Sequence, residues 1–210
     1  ELADAGLIQL ANRRRARITP NAALAARRYL NAESVFTLAG SDDPALDLLA
    51  RRLSVSSLRL LTGAGSFAGL SNVRHGRADG AAIHLLHHTG VYNAPFALGL
   101  LRGWDPHLVH LWRREQGLLL QPGNPTEVRS VADLIDRRVA VRAPGTGTRV
   151  LTDRLLRAAG ADPDAVRGPQ FGTHLEVALA VATGAVDVAV GVRSAANDLD
   201  LDFMHLTWED

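Results

Sequence analysis

Short, continuous apolar runs punctuate the chain at residues 35–39, 58–61, 81–86, 108–112, 118–121, 139–141 and 186–190. None alternates strictly with polar positions, and unbroken runs of this length mark strands buried on both faces of a parallel sheet. Helical periods recur between several of them. Leu46, Leu49 and Leu53 fall on one face, as do Leu151, Leu155 and Ala158, and then Leu175, Leu179 and Ala182. Gly160 and Gly184 stand just beyond two of these helices, where a glycine commonly closes the last turn. Strand–helix alternation predicts an α/β fold with mainly parallel sheets, in which ligands collect beyond the carboxyl ends of the strands.

Two stretches echo each other. Gly76-Arg77-Ala78-Asp79 leads into Gly80-Ala81-Ala82-Ile83, and Gly184-Ala185-Val186-Asp187 leads into Val188-Ala189-Val190-Gly191. Each reads as a helix end, a tight turn and a strand, and their aspartates read as turn formers rather than catalysts. A single echo across half the chain predicts two lobes of similar topology; a tandem array repeats every 20–50 residues or so. The turn-rich Gln121-Pro122-Gly123-Asn124-Pro125 breaks the halves, and residues 108–120 read as the strand crossing between them. The expected division is residues 34–115 for lobe one, with 193–210 returning to it, and 116–192 for lobe two. Residues 1–33 differ in character. They predict a hairpin with Arg13-Arg14-Arg15 at its tip and a helix over 21–30, either the wing of a winged-helix DNA-binding module or a solvated arm.

Composition narrows the chemistry. Of 210 residues, 47% are hydrophobic and 21% charged, as in an ordinary globular core, and a net charge of +1 provides no global field for nucleic acid. All 23 basic residues are Arg. No lysine is therefore available for a Walker loop, a Schiff base or a kinase ion pair. The absence of Cys excludes a disulfide framework, a thiolate nucleophile and a Cys-based zinc site, which agrees with an expected cytoplasmic location. No run reaches the ~20 apolar residues of a membrane span, and no membrane partner is expected.

Four strand-to-loop junctions offer similar groups. They are Gly40-Ser41-Asp42-Asp43-Pro44, Gly63-Ala64-Gly65-Ser66-Phe67-Ala68-Gly69, Ile83-His84, and Pro144-Gly145-Thr146-Gly147-Thr148-Arg149. Singly, each has a bland reading: Ser and Thr cap helices, and Gly supplies turn dihedrals. Together, on corresponding edges of two lobes, they predict one cleft lined with hydroxyls and helix N-termini. Such a cleft holds a small anion without a full counter-charge. Each hydrogen bond to a charged ligand contributes roughly 1.5–3 kcal/mol, so six or seven reach about micromolar affinity after association costs. Arg149 reads equally as an anion clamp or as a surface ion pair.

Other motifs fit poorly. Residues 63–68 match G-x-G-x-x-A, but Asp79 lies too early for the acidic partner of a dinucleotide site. His84 and His88 of HLLHH share a strand face while His87 points away, so a metal site is not expected there. No nucleophile elbow is present, no paired carboxylates stand in a context favouring glycosidase chemistry, and no catalytic residue is expected.

The runs at 40–46 and 65–70, Ala82-Ile83-His84-Leu85-Leu86, Tyr92-Asn93, residues 113–118, Pro122-Gly123-Asn124-Pro125 and residues 144–149 together resemble the periplasmic-binding-protein-like domain of certain bacterial regulators. That family is similar to molybdate- and tungstate-binding proteins and occurs behind helix-turn-helix modules or fused to molybdopterin-biosynthesis proteins. The resemblance spans about residues 35–207. It implies a two-lobed type II fold, each lobe a mainly parallel sheet flanked by helices, with the ligand cleft between them. It further implies a ligand-sensing domain of a transcription regulator rather than an enzyme. The ligand would be molybdate, tungstate or a similar oxyanion, with no cofactor or metal. Ser41, Asp42, Ser66, Phe67 and His84 would approach it from lobe one; Thr146, Gly147, Thr148 and Arg149 from lobe two. DNA would be reached through an N-terminal module largely outside this chain, in a homodimer. The alternatives are an enzyme-associated module for a phosphate-bearing or pterin cofactor, and a transporter's substrate-binding protein.

Overall fold

The structure, a computed structural model, describes residues 8–11, 15–19, 22, 35–53 and 58–210. The predicted N-terminal hairpin forms from β1 (Ile8–Ala11) and β2 (Arg15–Ile18), paired antiparallel. Its tip and nearly all of the helix expected over 21–30 lie outside the described residues.

Lobe one is built on β3 (Phe36–Gly40), α1 (Pro44–Arg52), β4 (Leu58–Thr62), α2 (Gly65–Arg74), β5 (Gly80–Ala82) and α3 (Ala94–Leu100). Its strands run parallel in the order β4-β3-β5. α1 starts where Pro44 cannot donate a backbone N–H and Asp43 accepts one from Ala45 at 3.0 Å. Gly69 lets α2 lie directly on the Ala39–Gly40 backbone, a contact that any Cβ would obstruct.

The run at 81–86 leaves the sheet after Ala82, earlier than its apolar content predicts. Side chains take its next donors: His84 N donates to Ser66 Oγ at 3.3 Å and Leu85 N to Asn93 Oδ1 at 2.8 Å. The run at 108–112 is not a strand either. Leu108, Val109 and Leu111 are exposed, and the crossing strand begins only at β6 (Arg114–Leu120).

Lobe two continues with a 3-10 turn (Val131–Asp136), β7 (Val139–Arg142), α4 (Gly147–Ala158), β8 (Gln170–Phe171), α5 (His174–Ala182), β9 (Val188–Val192), α6 (Arg193–Asn197) and β10 (Asp202–Glu209). The sheet order is β10-β6-β9-β7-β8; β7 runs parallel to β8 and β9, while β6 is antiparallel to β9 and β10. Alternate residues feed two cores. Leu118, Leu120, Val139, Val141, Val188 and Val190 pack on one face, with Leu119, Ala140 and Ala189 on the other. That two-sided burial is why these strands read as unbroken apolar runs.

The segment 193–210, expected to return to lobe one, pairs through β10 with β6 in the second sheet. Only its end meets lobe one, where Asn93 Nδ2 donates to the Asp210 carbonyl at 3.0 Å. α5 also departs from expectation. Leu175 and Leu179 face solvent, whereas His174, Val177, Ala178 and Val181 are buried. The helix is apolar nearly all round, so periodicity alone does not choose its face. A Thr173–Glu176 capping box turns Glu176 outward and fixes the choice.

Candidate functional site

The carboxyl ends of β3 and β5 and the N-terminus of α2 face the N-terminus of α4 across a cleft in which the lobes touch. Phe67 N donates to the Gly145 carbonyl at 3.3 Å, and Gly65 and Gly147 form the contact surface. A Cβ on Gly147 would collide with the His84 ring and carbonyl. Only glycine admits α4 so close.

Ser66 and His84 define the polarity here. Ser66 Oγ accepts from His84 N at 3.3 Å and lies 3.4 Å from His84 Nδ1. The hydroxyl keeps a second lone pair, so it either donates to Nδ1 or accepts from an Nδ1–H, according to the tautomer of the ring. His84 is held neutral, its pKa well below the usual value, first by burial and then by Arg114. Neither His84 Nε2 nor Ser41 Oγ, both buried, has a hydrogen-bond partner among the described residues. Thr146 caps α4, accepting from Arg149 N at 3.3 Å and donating to the Ala143 carbonyl at 2.8 Å. The first N–H groups of α2 and α4 have no acceptors within their own helices; Phe67 N and Arg149 N find theirs in the Gly145 carbonyl and Thr146 Oγ1.

The other end of the cleft is ionic. Asp42 Oδ1 accepts from Arg142 NH2 at 2.8 Å, and Asp42 Oδ2 from His174 N at 2.5 Å. Asp43 Oδ2 accepts from Arg114 NH1 at 2.9 Å, and Arg114 Nε donates to Glu209 Oε2 at 2.9 Å. Gln116 Nε2 joins the set, donating to Thr148 Oγ1 at 2.9 Å and to Glu209 Oε2 at 2.8 Å. Burial raises the Glu209 pKa against the pull of Arg114. Arg114 is itself penalised by burial, yet Glu209 and Asp43 hold it charged. His174 is kept neutral by burial and then by Arg142.

Of the residues expected from sequence, Ser41, Asp42, Ser66, His84, Thr146, Gly147 and Thr148 come together. Phe67 contributes its backbone, while its ring packs edge-on against Phe96, centroids 5.5 Å apart. The structure does not bring Arg149 to this cluster. Its Nε donates to Asp153 one helical turn on, at 2.8 Å, and it lines a separate cavity of about 220 Å³ with Arg167 and Gln170. His87 and His88 stack on each other in a loop, centroids 3.9 Å apart. Sequence reasoning did not single out Arg114, Gln116, Arg142, His174 or Glu209. The one available signal was a polar side chain interrupting or ending an otherwise apolar strand, at Gln116 and Arg142.

Residues 47–210 match the PBP superfamily domain. Over 173 residues the chain is 32% identical to the protein YvgK of Bacillus subtilis (strain 168), an alignment covering 78% of this chain and 56% of that protein. The chain thus spans little more than half the length of this curated relative. Similar solved structures include the effector binding domain of QuiR in complex with shikimate (TM-score 0.59, 12% identity, 84% of this chain and 86% of that one). EhuB in complex with hydroxyectoine gives a TM-score of 0.58 at 18% identity, covering 89% and 78%. Holo ArgBP from T. maritima gives 0.55 at 13% identity, covering 87% and 82%. At these identities the likeness is one of fold: two lobes and a ligand cleft between them. Among the described residues, no helix is long and apolar enough to cross a membrane.

Proposed function

The chain belongs to the PBP superfamily, and we propose that it is the ligand-sensing domain of a transcription regulator that closes on a small oxyanion of the molybdate or tungstate kind. The observation that carries this reading is a pair of unmet buried polar atoms. Ser41 Oγ and His84 Nε2 are buried without a partner among the described residues, and the start of α4 packs directly against His84. Neutral hydroxyl, imidazole and backbone donors suit a compact anion. Both nearby guanidinium groups are already paired with carboxylates. Domain closure is the switch, because a ligand shifts an equilibrium only by binding one state better than the other. The Arg-rich stretch Arg13-Arg14-Arg15-Ala16-Arg17 ahead of the lobes supports a DNA-contacting neighbour.

A second reading rests on a different observation. Gln116 Oε1 and Glu209 Oε1 are buried acceptors without a partner among the described residues. They favour an organic solute bearing its own donors, of the sort named for the neighbouring structures, in either a sensor or a transporter's binding protein.

A thermal-shift titration separates the two. Molybdate, tungstate, sulfate and phosphate form one arm; arginine, shikimate and hydroxyectoine form the other. Ligand at 100 times its Kd stabilises by about 2.7 kcal/mol, a shift of several degrees. A response to molybdate or tungstate alone is expected, and Ser41→Ala or His84→Ala, each removing a buried polar atom without a protein partner among the described residues, weakens it by roughly 10- to 100-fold through one lost charge-assisted bond. A response confined to the organic arm, or affinity unchanged in both variants, overturns the oxyanion site.

A further inference from the structure

Asp42 belongs to lobe one by sequence, yet the protein donors its carboxylate accepts come from lobe two. Arg142 donates from NH2 to Oδ1 at 2.8 Å and from NH1 to Oδ2 at 3.4 Å; His174 N donates to Oδ2 at 2.5 Å. His174 is the first residue of α5, whose helix dipole places partial positive charge there. The capping box of Thr173 and Glu176 serves other N–H groups: Glu176 N donates to Thr173 Oγ1 at 3.2 Å, and Thr173 N to Glu176 Oε2 at 2.8 Å. The His174 N–H is thus left to Asp42. Arg142 and Asp42 are both buried, with side chains 3% and 8% exposed. A two-pronged guanidinium beside a helix N-terminus is the geometry that recognises a carboxylate.

We infer that Arg142 and the N-terminus of α5 form a carboxylate-binding pole in lobe two, which Asp42 occupies as a tethered ligand from lobe one. The inference rests on the two-lobed binding reading above but concerns a different part of the cleft and a different ligand class. Two consequences follow. The pair acts as a latch, because closing the lobes seats the carboxylate and opening them withdraws it. It also filters ligands: a tethered group competes at an effective concentration of about millimolar or more, so free carboxylates are kept off Arg142. A carboxylate-free oxyanion at the Ser66–His84 end meets no such competition.

Chemical rescue tests this. Asp42→Ala empties the pole, whereas Asp42→Asn fills it with an amide that excludes a guest. Melting temperature and small-angle scattering are followed with sodium formate or acetate against sodium chloride at equal ionic strength. The wild-type protein is expected to respond equally to all three salts. Asp42→Ala is expected to melt several degrees lower and scatter as a more open particle; formate should reverse most of both changes, and Asp42→Asn should show no reversal. Should Asp42→Ala fail to fold, Asp42→Ser leaves comparable room and takes its place. A folded Ala or Ser variant that formate does not shift relative to chloride overturns the inference, as does equal rescue of Asp42→Asn. Titrating molybdate in parallel keeps the two claims apart. Formate rescue without any wild-type molybdate response leaves the pole standing and removes the oxyanion sensor; the converse removes the pole alone.

Discussion

Ser41 and Asp42 are neighbours in the chain and both enter the cleft, but their surroundings differ in kind. The Ser41 hydroxyl is buried with no partner among the described residues, as is His84 Nε2. The Asp42 carboxylate is buried with its bonding needs met by Arg142 and His174 N. One end of the cleft holds polarity in reserve; the other spends it on holding the lobes together. Under the proposed function, the difference assigns ligand binding to one end of the cleft and closure of the lobes to the other.

The sharpest way to break this contrast is to remove a cation from the ionic end. Arg142→Ala leaves Asp42 facing a buried site without its counter-charge, and losing one partner of a buried pair costs about 3–5 kcal/mol. Urea denaturation should register that loss as a lower midpoint with little change in slope. Combining it with Asp42→Ala should restore part of the stability, because the stranded charge goes too; a double variant as unstable as the sum of the singles would show that the two residues do not act as a pair.

The reserve end was largely legible in the sequence, whereas of the ionic end only Asp42 and Thr148 were. Ser66, Thr146, Gly147 and Thr148 sit in local strand–loop–helix patterns whose chemistry follows from spacing alone. Asp79 and Asp187 were legible in the same way. Each donates its N–H at the start of the strand that its own following strand pairs with, β3 or β7, and accepts a bond back, Thr37 N to Asp79 at 2.7 Å and Arg138 N to Asp187 at 2.9 Å. The partners of the ionic end are far apart in the chain: Arg142 meets Asp42 across 100 residues, His174 meets Asp42 across 132, and Arg114 meets Glu209 across 95. No periodicity encodes such pairs. His174 was doubly hidden, because it heads the buried stripe of a helix whose leucines point outward.

Acid gives a smaller and graded perturbation that reaches both ends, since each holds one buried neutral histidine. Folded His84 and His174 titrate below their ordinary value of 6.5, first because of burial and then because of nearby guanidinium charge. The unfolded chain therefore takes up protons that the folded chain refuses, and stability falls as pH drops below about 6.5, by up to about 1.4 kcal/mol per pH unit for each group. Glu209 acts oppositely. Its raised pKa contributes stability that is complete below 4.5 and is lost as pH rises through the folded value. Denaturation midpoints at stepped pH should fall with acid below 6.5, less steeply in His174→Gln and in His84→Gln. A slope unchanged in both variants would exclude the histidines as its source.

The smallest effect on stability is expected from Ser41→Ala, and it bears most directly on what the reserve end is for. In the folded chain the hydroxyl is buried and makes no hydrogen bond to the described residues, so deleting it removes no protein interaction. Stability should stay within about 0.5 kcal/mol of wild type, since the backbone bond from Ser41 N to the Ala82 carbonyl at 3.0 Å does not involve the side chain. Ligand affinity should fall all the same, by roughly tenfold for one lost bond to a charged ligand. Calorimetric titration beside a denaturation curve reads both quantities on one protein. Arg142→Ala should give a large loss of stability, Ser41→Ala a loss of affinity with hardly any. A Ser41→Ala protein that melts early and binds normally would mean that the hydroxyl serves the fold, and the two ends of the cleft would then differ in degree only.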